Sequence, residues 1–197
     1  MCPRSTFSSP DRLRFSTALA VALAPALVLA IAGCAHRSAA TTTAAPSAPE
    51  TIRAPAGQVF FLETQATGVQ VYECATKPDA PGTWTWTFRA PEATLFDGAG
   101  RSIGRHYAGP TWESTDGSIV VGEVRAMDPG PTPTAIPWLL LAARSTSGTG
   151  AFAGTRSIQR VRTEGGLAPA QPCGPANAKQ LASVPYKATY NFFRAAP

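Results

Sequence analysis

The stretch from His106 to Glu113 carries the residues best suited to chemistry. It reads His-Tyr-Ala-Gly-Pro-Thr-Trp-Glu and holds the only histidine of residues 54–197. An imidazole can act as a general base near neutral pH, and a neighbouring carboxylate can orient it. These residue types make His106, Tyr107, Trp112 and Glu113 candidates for a ligand-binding site. The more common case for such a stretch is a structural histidine hydrogen-bonded beside a Gly-Pro turn, with Trp112 in the core.

Other reactive patterns are absent from the sequence or incomplete. No G-x-S-x-G motif of a serine hydrolase occurs. A metal site needs three or four ligands, which one histidine and two isolated cysteines do not supply. Gly148–Ala153 fits G-x-G-x-x-A, but a strand-like sequence follows where a dinucleotide site needs a helix. We therefore expect no catalytic residue, no metal and no cofactor, which favours a protein that is not an enzyme.

The N-terminal segment has the order of an export signal. Three arginines precede an apolar run over residues 15–31. The run ends in Ile31-Ala32-Gly33-Cys34, which resembles the bacterial lipobox and implies lipidation of Cys34 with removal of residues 1–33. The alternative is an uncleaved anchor helix, for which the run is barely long enough. Ala35 replaces the aspartate that favours inner-membrane retention, so the resemblance implies an outer-membrane lipoprotein that faces the periplasm.

The rest of the chain divides into a tether and one domain. Residues 34–53 comprise the lipidated cysteine and a stretch rich in Ala, Thr, Ser and Pro, which is typical of a flexible segment. Residues 54–197 are close to the usual size of a single domain. Of the four cysteines, Cys2 leaves with the signal and Cys34 takes lipid, so Cys74 and Cys173 are predicted to form a disulfide in an oxidising compartment.

The charge of the chain argues against a nucleic-acid partner. The sequence has 17 basic and 12 acidic residues; without residues 1–33 it keeps 14 and 11, a net charge of +3. Nucleic-acid binding needs clustered basic side chains. The densest group, Arg156, Arg160 and Arg162, is followed by Glu164 and is interpreted as a solvated strand edge.

Period-two patterning dominates after residue 55 and predicts an all-β fold. In Thr83–Phe88, Trp84, Trp86 and Phe88 share one side of a strand, which favours core packing; an exposed platform for a sugar or a lipid is the alternative. Only residues 175–182 look helical. About eight to ten short strands with at most one short helix predict a single-domain β-sandwich or small β-barrel, and patterning does not choose between the two.

Several segments together resemble a known family. They are Gly68–Cys74, Ala90–Leu95, Gly104–Glu113, Asp116–Ser118, Ile136–Leu140, Ile158–Val161, Thr163–Gly166 and Val184–Tyr186. In this order they are similar to an uncharacterised secreted family of bacteria and fungi, domain of unknown function 3455 (DUF3455), over about residues 54–193. The resemblance implies a single secreted domain with the His106–Glu113 stretch as its signature, and it implies no activity.

These observations favour an envelope lipoprotein with a binding or structural role. Its expected partners are membrane lipid, through the acylated Cys34, and an unknown small ligand, a glycan or another envelope protein. The alternative is an enzyme that uses His106 with Glu113 or Asp116 in a pocket and acts on a small envelope metabolite.

Overall fold

Eight β-strands account for most of residues 44–197, the part of the chain that the computed structural model describes. They follow one another around a closed barrel in chain order, and each pairs antiparallel with the next. The strands are β1 (Gln58–Lys77), β2 (Ala80–Phe96), β3 (Ser102–Tyr107), β4 (Thr111–Ser114), β5 (Ile119–Asp128), β6 (Trp138–Ser147), β7 (Thr155–Gly165) and β8 (Leu181–Ala195). Pairing of β8 with β1 closes the barrel.

The all-β prediction is confirmed, and the closed sheet decides for a barrel over a sandwich. The expectation of short strands is wrong for β1, β2 and β8, which have 20, 17 and 15 residues. Such long strands bend at bulges, one of which lies between Val71 and Tyr72 of β1. The helix expected over residues 175–182 is a single 3-10 turn, Pro175–Asn177.

Strand alternation places one face of the sheet inside the barrel, where apolar side chains meet. Trp112 on β4, Leu141 on β6, Ile158 on β7 and Phe192 on β8 are buried in one hydrophobic cluster. The rings of Trp112 and Phe192 meet edge to face with centroids 6.2 Å apart. Each large apolar side chain contributes about 1.5–3 kcal/mol through burial, so this cluster stabilises the closed barrel.

A 3-10 turn at Glu50–Ile52 packs against the outer side of the sheet. Ile52 is fully buried, and its carbonyl oxygen accepts a hydrogen bond from Gln159 Nε2 at 2.8 Å. Thr51 Oγ1 donates to Asp128 Oδ2 at 2.9 Å. These residues belong to the tether predicted from composition, but residues 50–53 pack on the barrel. We call residues 50–53 the strap.

Cys74 and Cys173 form the predicted disulfide, with their Cα atoms 5.6 Å apart. Cys74 lies in β1, and Cys173 lies in the loop between β7 and β8. The bridge holds this loop against the β1–β2 hairpin, where Trp86 Nε1 also donates to the carbonyl oxygen of Gln171 at 2.9 Å. The turn end of the β1–β2 hairpin is therefore held by a covalent bond and a hydrogen bond.

The proposed signal peptide, Cys34 and His36 lie outside the described residues. Within residues 44–197, no helix is long and apolar enough to cross a membrane.

Candidate functional site

The residues of the His106–Glu113 stretch occupy the β3–β4 hairpin, and alternation separates them into two sets. His106 pairs with Trp112, and both side chains point into the barrel. Tyr107 and Glu113 belong to the opposite face, where Tyr107 Oη donates to Glu113 Oε2 at 2.8 Å. The structure thus brings His106 and Trp112 together and places Tyr107 and Glu113 outside.

His106 is 3% exposed and packs between aromatic rings. Its ring stacks on Trp112 with centroids 4.3 Å apart and meets Tyr190 edge to face at 5.0 Å. Nδ1 lies 2.8 Å from the carbonyl oxygen of Thr111. Because a carbonyl only accepts, we assign the proton to Nδ1, which leaves Nε2 as an acceptor. Burial lowers the pKa of His106 from 6.5 to about 3, so the imidazole is neutral at physiological pH.

Glu113 is engaged on the outer face of the barrel. Arg105 Nη2 approaches Glu113 Oε2 to 2.8 Å, beside the bond from Tyr107. The Tyr107 hydroxyl and the Arg105 guanidinium lower the pKa of Glu113. This exposed cluster stabilises the hairpin but offers no carboxylate to His106.

Asp116 ties two turns together. Its Oδ1 accepts hydrogen bonds from the backbone and hydroxyl of Ser118 at 2.8 and 2.6 Å, and its Oδ2 accepts one from the Ala151 amide at 2.7 Å. These bonds to Ser118 and Ala151 lower the pKa of Asp116 to about 2. Asp116, the other carboxylate that could act with His106 in an enzyme, is therefore engaged in contacts between loops.

A cavity of about 170 Å³ opens beside His106 inside the barrel, and we call it the barrel pocket. Each of the eight strands contributes to its wall. In strand order, the contributing residues include Gln70, Pro91, His106, Trp112, Val124, Leu141, Arg160 and Tyr190. None of the residues that line the pocket is an aspartate or a glutamate.

A family model described as a protein of unknown function, DUF3455, matches residues 55–194. The chain belongs to this family. No curated protein and no solved structure matches the chain. The match runs from just before β1 to the penultimate residue of β8, so the DUF3455 domain of this chain includes the whole barrel pocket.

Three polar residues of the barrel pocket are not among the predicted site residues: Gln70, Arg160 and Tyr190. Arg160 was interpreted as part of a solvated strand edge, but the structure shows it half-buried against Leu139 and Tyr190, its neighbours in register. The interpretation was wrong because both faces of β7 are largely buried, so the strand lacks a simple polar–apolar alternation. The one feature of the sequence that indicates an inward position for Arg160 is its spacing of two residues from Ile158, because such residues share a face of the strand.

The mouth of the barrel pocket has an apolar rim. Phe88 and Val124, each 49% exposed, lie there with Pro110. The core assignment of the aromatic stripe was therefore wrong for Phe88, while Trp84 and Trp86 are half-buried. Phe88 packs edge to face on Tyr72 with ring centroids 5.8 Å apart, which holds it at the rim.

Two buried donors of the barrel pocket have no hydrogen-bond partner among the described residues. Gln70 Nε2 and Trp112 Nε1 make no hydrogen bond within the described part of the chain. The Gln70 amide lies near the Tyr186 hydroxyl without the geometry of a hydrogen bond to it. Residues 44–197 contain no group of three or more His, Cys, Asp or Glu side chains arranged to hold a metal ion. The pocket thus presents hydrogen-bond donors, one cation and apolar walls.

Proposed function

We propose that this protein is a lipid-anchored lipoprotein of the cell envelope whose barrel pocket binds a small ligand. The observation that carries the proposal is a cavity walled by all eight strands in which Gln70 Nε2 and Trp112 Nε1 are buried donors without a partner among residues 44–197. Buried polar groups are almost always hydrogen-bonded, so two such donors in one cavity point to a bound molecule.

The size of the pocket limits the ligand. Its volume of about 170 Å³ is close to that of a cavity of about 150 Å³ that holds benzene. Small eight-stranded barrels either fill with side chains or hold one small ligand. A molecule with a single ring, or a short chain of similar volume, fits the enclosed part, and the rim of Phe88 and Val124 can cover an apolar extension.

The chemistry of His106 supports binding over catalysis. A pKa of about 3 makes the imidazole a weak base near neutral pH. No carboxylate lines the pocket to orient it, because Glu113 and Asp116 are engaged elsewhere. In this role the neutral imidazole forms part of the pocket wall and stays unprotonated.

The envelope location rests on the leader, the lipobox-like Ile31–Cys34 and the disulfide. Structural disulfides persist in oxidising compartments outside the cytoplasm, and the bridge of Cys74 with Cys173 agrees with export. Lipoproteins carry more than one acyl chain, and each buried CH₂ contributes about 0.8 kcal/mol, so membrane attachment would be stable.

Indole resonances provide a direct test of binding, because only Trp112 of the four tryptophans lines the pocket. We expect toluene to shift the indole N–H resonance of Trp112 in the NMR spectrum of the full-length protein. Val124→Phe narrows the mouth without repacking the core and should abolish the shift. Met127→Phe, on the same strand but outside the pocket, is the matched control. A Trp112 resonance that is unchanged by toluene and also by its polar analogues benzamide and benzoate, or a shift that survives Val124→Phe, would contradict binding in the barrel pocket.

The native ligand can then be sought by extracting the purified protein and analysing the extract by mass spectrometry. A small molecule present with Met127→Phe and absent with Val124→Phe would be the pocket's own ligand. A glycan or protein retained equally by both variants would place recognition on another surface and contradict the proposal.

The anchor has an independent test. We expect radioactive palmitate to label the protein in cells and Cys34→Ser to remove the label, with the wild type in the outer-membrane fraction. Cys2→Ser is the matched control and should leave labelling unchanged. Recovery of the intact chain in the cytosol would contradict the envelope location and leave the binding experiment unaffected.

A further inference from the structure

Arg160 brings a positive charge into the barrel that no acidic side chain of the described residues pairs with. It belongs to none of the ion pairs formed among residues 44–197. The neighbouring Arg162 pairs with Glu63 on the outer side, so the two arginines differ in environment. A partly desolvated charge is costly without a counter-charge, and an anionic ligand would supply one.

The field of Arg160 reaches the titratable groups around it. Its charge acts to lower the pKa of His106, Tyr72, Tyr186 and Tyr190, although burial raises the pKa of each tyrosine. No carboxylate contributes to the pKa shift of any of these four groups. The interior beside the pocket is therefore electropositive, with neutral tyrosines and a neutral histidine around one cation.

The guanidinium of Arg160 is held in place along one edge. Its Nε and Nη2 donate to the carbonyl oxygen of Pro137 at 3.1 and 2.8 Å. The Pro137 segment is itself fixed, because Thr163 Oγ1 donates to the Ile136 carbonyl oxygen at 2.6 Å. The Tyr190 hydroxyl lies within hydrogen-bonding reach of the same guanidinium. Of its five N–H groups, two donate to Pro137 and one can serve Tyr190, so N–H groups on the terminal nitrogens remain for another acceptor. That terminal edge has the geometry that pairs with both oxygens of a carboxylate.

The remaining features of the pocket suit a carboxylate with an apolar body. The free donors Gln70 Nε2 and Trp112 Nε1 can bind acceptor oxygens. Leu139 and Leu141 form an apolar part of the wall, and Phe88 lies at the rim. One arginine matches the single charge of a carboxylate better than the double charge of a phosphate or phosphonate.

We propose that the ligand is a small monocarboxylate with an apolar body, bound through the terminal edge of Arg160 and the amide of Gln70, with its apolar part against Leu139 and Leu141. This inference rests on the proposed function of the same pocket. It adds the chemical class of the ligand.

Compounds of nearly the same shape separate charge from size. Toluene, benzamide, benzoate and phenylphosphonate are titrated into the full-length protein in lipid nanodiscs by calorimetry at neutral pH. Because hydrogen bonds to charged groups are about twice as strong as neutral ones, we expect benzoate to bind about ten-fold more tightly than benzamide. Phenylphosphonate should bind more weakly than benzoate.

Variants locate the charge that is responsible. Arg160→Gln should remove the preference for benzoate over benzamide, and Arg156→Gln, an exposed position on the same strand, should preserve it. Gln70→Met changes neither Arg160 nor its bond to Pro137; it should weaken benzoate about five-fold and leave toluene unchanged. This second variant keeps the test decisive if Arg160→Gln fails to fold.

The outcomes distinguish the two proposals. If none of the compounds binds, the proposed function is wrong. If toluene and benzamide bind but benzoate binds no more tightly, or the preference survives both Arg160→Gln and Gln70→Met, the pocket remains and the carboxylate assignment is overturned. Tighter binding of phenylphosphonate would also overturn it in favour of a dianion.

Discussion

The neutral, buried state of His106 makes the stability of the barrel depend on pH. Burial lowers the pKa of His106 from 6.5 to about 3 in the folded protein. At a pH below 6.5, the pKa of an ordinary histidine, the unfolded chain binds a proton at this position but the folded barrel does not. Acid therefore favours unfolding. Stability should therefore be highest above about pH 7 and should fall as the pH decreases from about 6.5 towards 3.

The size of the effect follows from the two pKa values. At about pH 5 the histidine of the unfolded chain is almost fully protonated, whereas His106 in the barrel is not. The free energy of unfolding is then about 2 kcal/mol lower than at about pH 7.5. For a domain of this size that corresponds to a decrease of about 4–8 °C in melting temperature.

The groups that face His106 do not obscure this signal. Arginine side chains in general keep their charge throughout this range, and burial raises the pKa of Tyr190 away from it. The carboxylates with lowered pKa values, including Asp116, take up protons in the folded state only at lower pH. The interval between about pH 5 and pH 7.5 therefore isolates the histidine.

Urea denaturation at a series of pH values measures the effect. His106→Asn keeps a donor for the Thr111 carbonyl oxygen and removes the titrating ring, so it should lower stability but flatten its dependence on pH. His36→Asn, at the only other histidine, is the matched control and should leave the slope unchanged. An equal slope for wild type and His106→Asn would refute the reasoning, because it would mean that His106 titrates normally in the fold.

Three further predictions concern the scaffold, each measured by urea denaturation. Replacing Cys74 and Cys173 together by alanine should lower the free energy of unfolding by up to about 4.7 kcal/mol, because the bridge spans 99 residues of sequence and limits the unfolded chain; an unchanged stability would contradict this. Ile52→Ala should lower the free energy of unfolding by about 2–5 kcal/mol because this side chain of the strap is fully buried; a nearly unchanged stability would contradict the packing of the strap on the barrel. Gly104→Ala should cost about 1–3 kcal/mol or more because its Cβ would overlap the backbone of β4, whereas Gly98→Ala, in open space, should be nearly neutral and serves as its control.

Local pattern was sufficient to predict the strands but not how they close. The alternation in segments such as Thr83–Phe88 predicted strands. The disulfide was predicted because Cys74 and Cys173 are the two cysteines that remain once Cys2 is assigned to the expected signal peptide and Cys34 to the expected lipid anchor. Closure depends on the pairing of β1 with β8, for example Gln58 with Ala195, which lie at opposite ends of the domain. No local signal encodes a contact over that separation, so sandwich and barrel stayed open.

The site was only half predictable for a related reason. The His106–Glu113 stretch was recognisable by its residue types, and alternation then placed His106 and Trp112 inside with Tyr107 and Glu113 outside. Arg160 and Ile52 gave no usable signal: one is a cation on a strand with two buried faces, and the other is a single apolar residue in a polar segment. Both acquire their roles from contacts across the chain.

The distribution of unsatisfied polar groups connects the scaffold to the proposed ligand. Among residues 44–197, four buried side-chain atoms lack a hydrogen-bond partner, and two of them, on Gln70 and Trp112, belong to the barrel pocket together with the unbalanced Arg160. Leaving a buried donor unpaired costs about 1–3 kcal/mol, which apolar side chains of similar shape would avoid. In natural proteins, residues that violate the usual rules of packing and hydrogen bonding are often found at functional sites. Phe88 and Val124 lie exposed at the mouth of this pocket, so a ligand can enter there and reach the two unpaired donors.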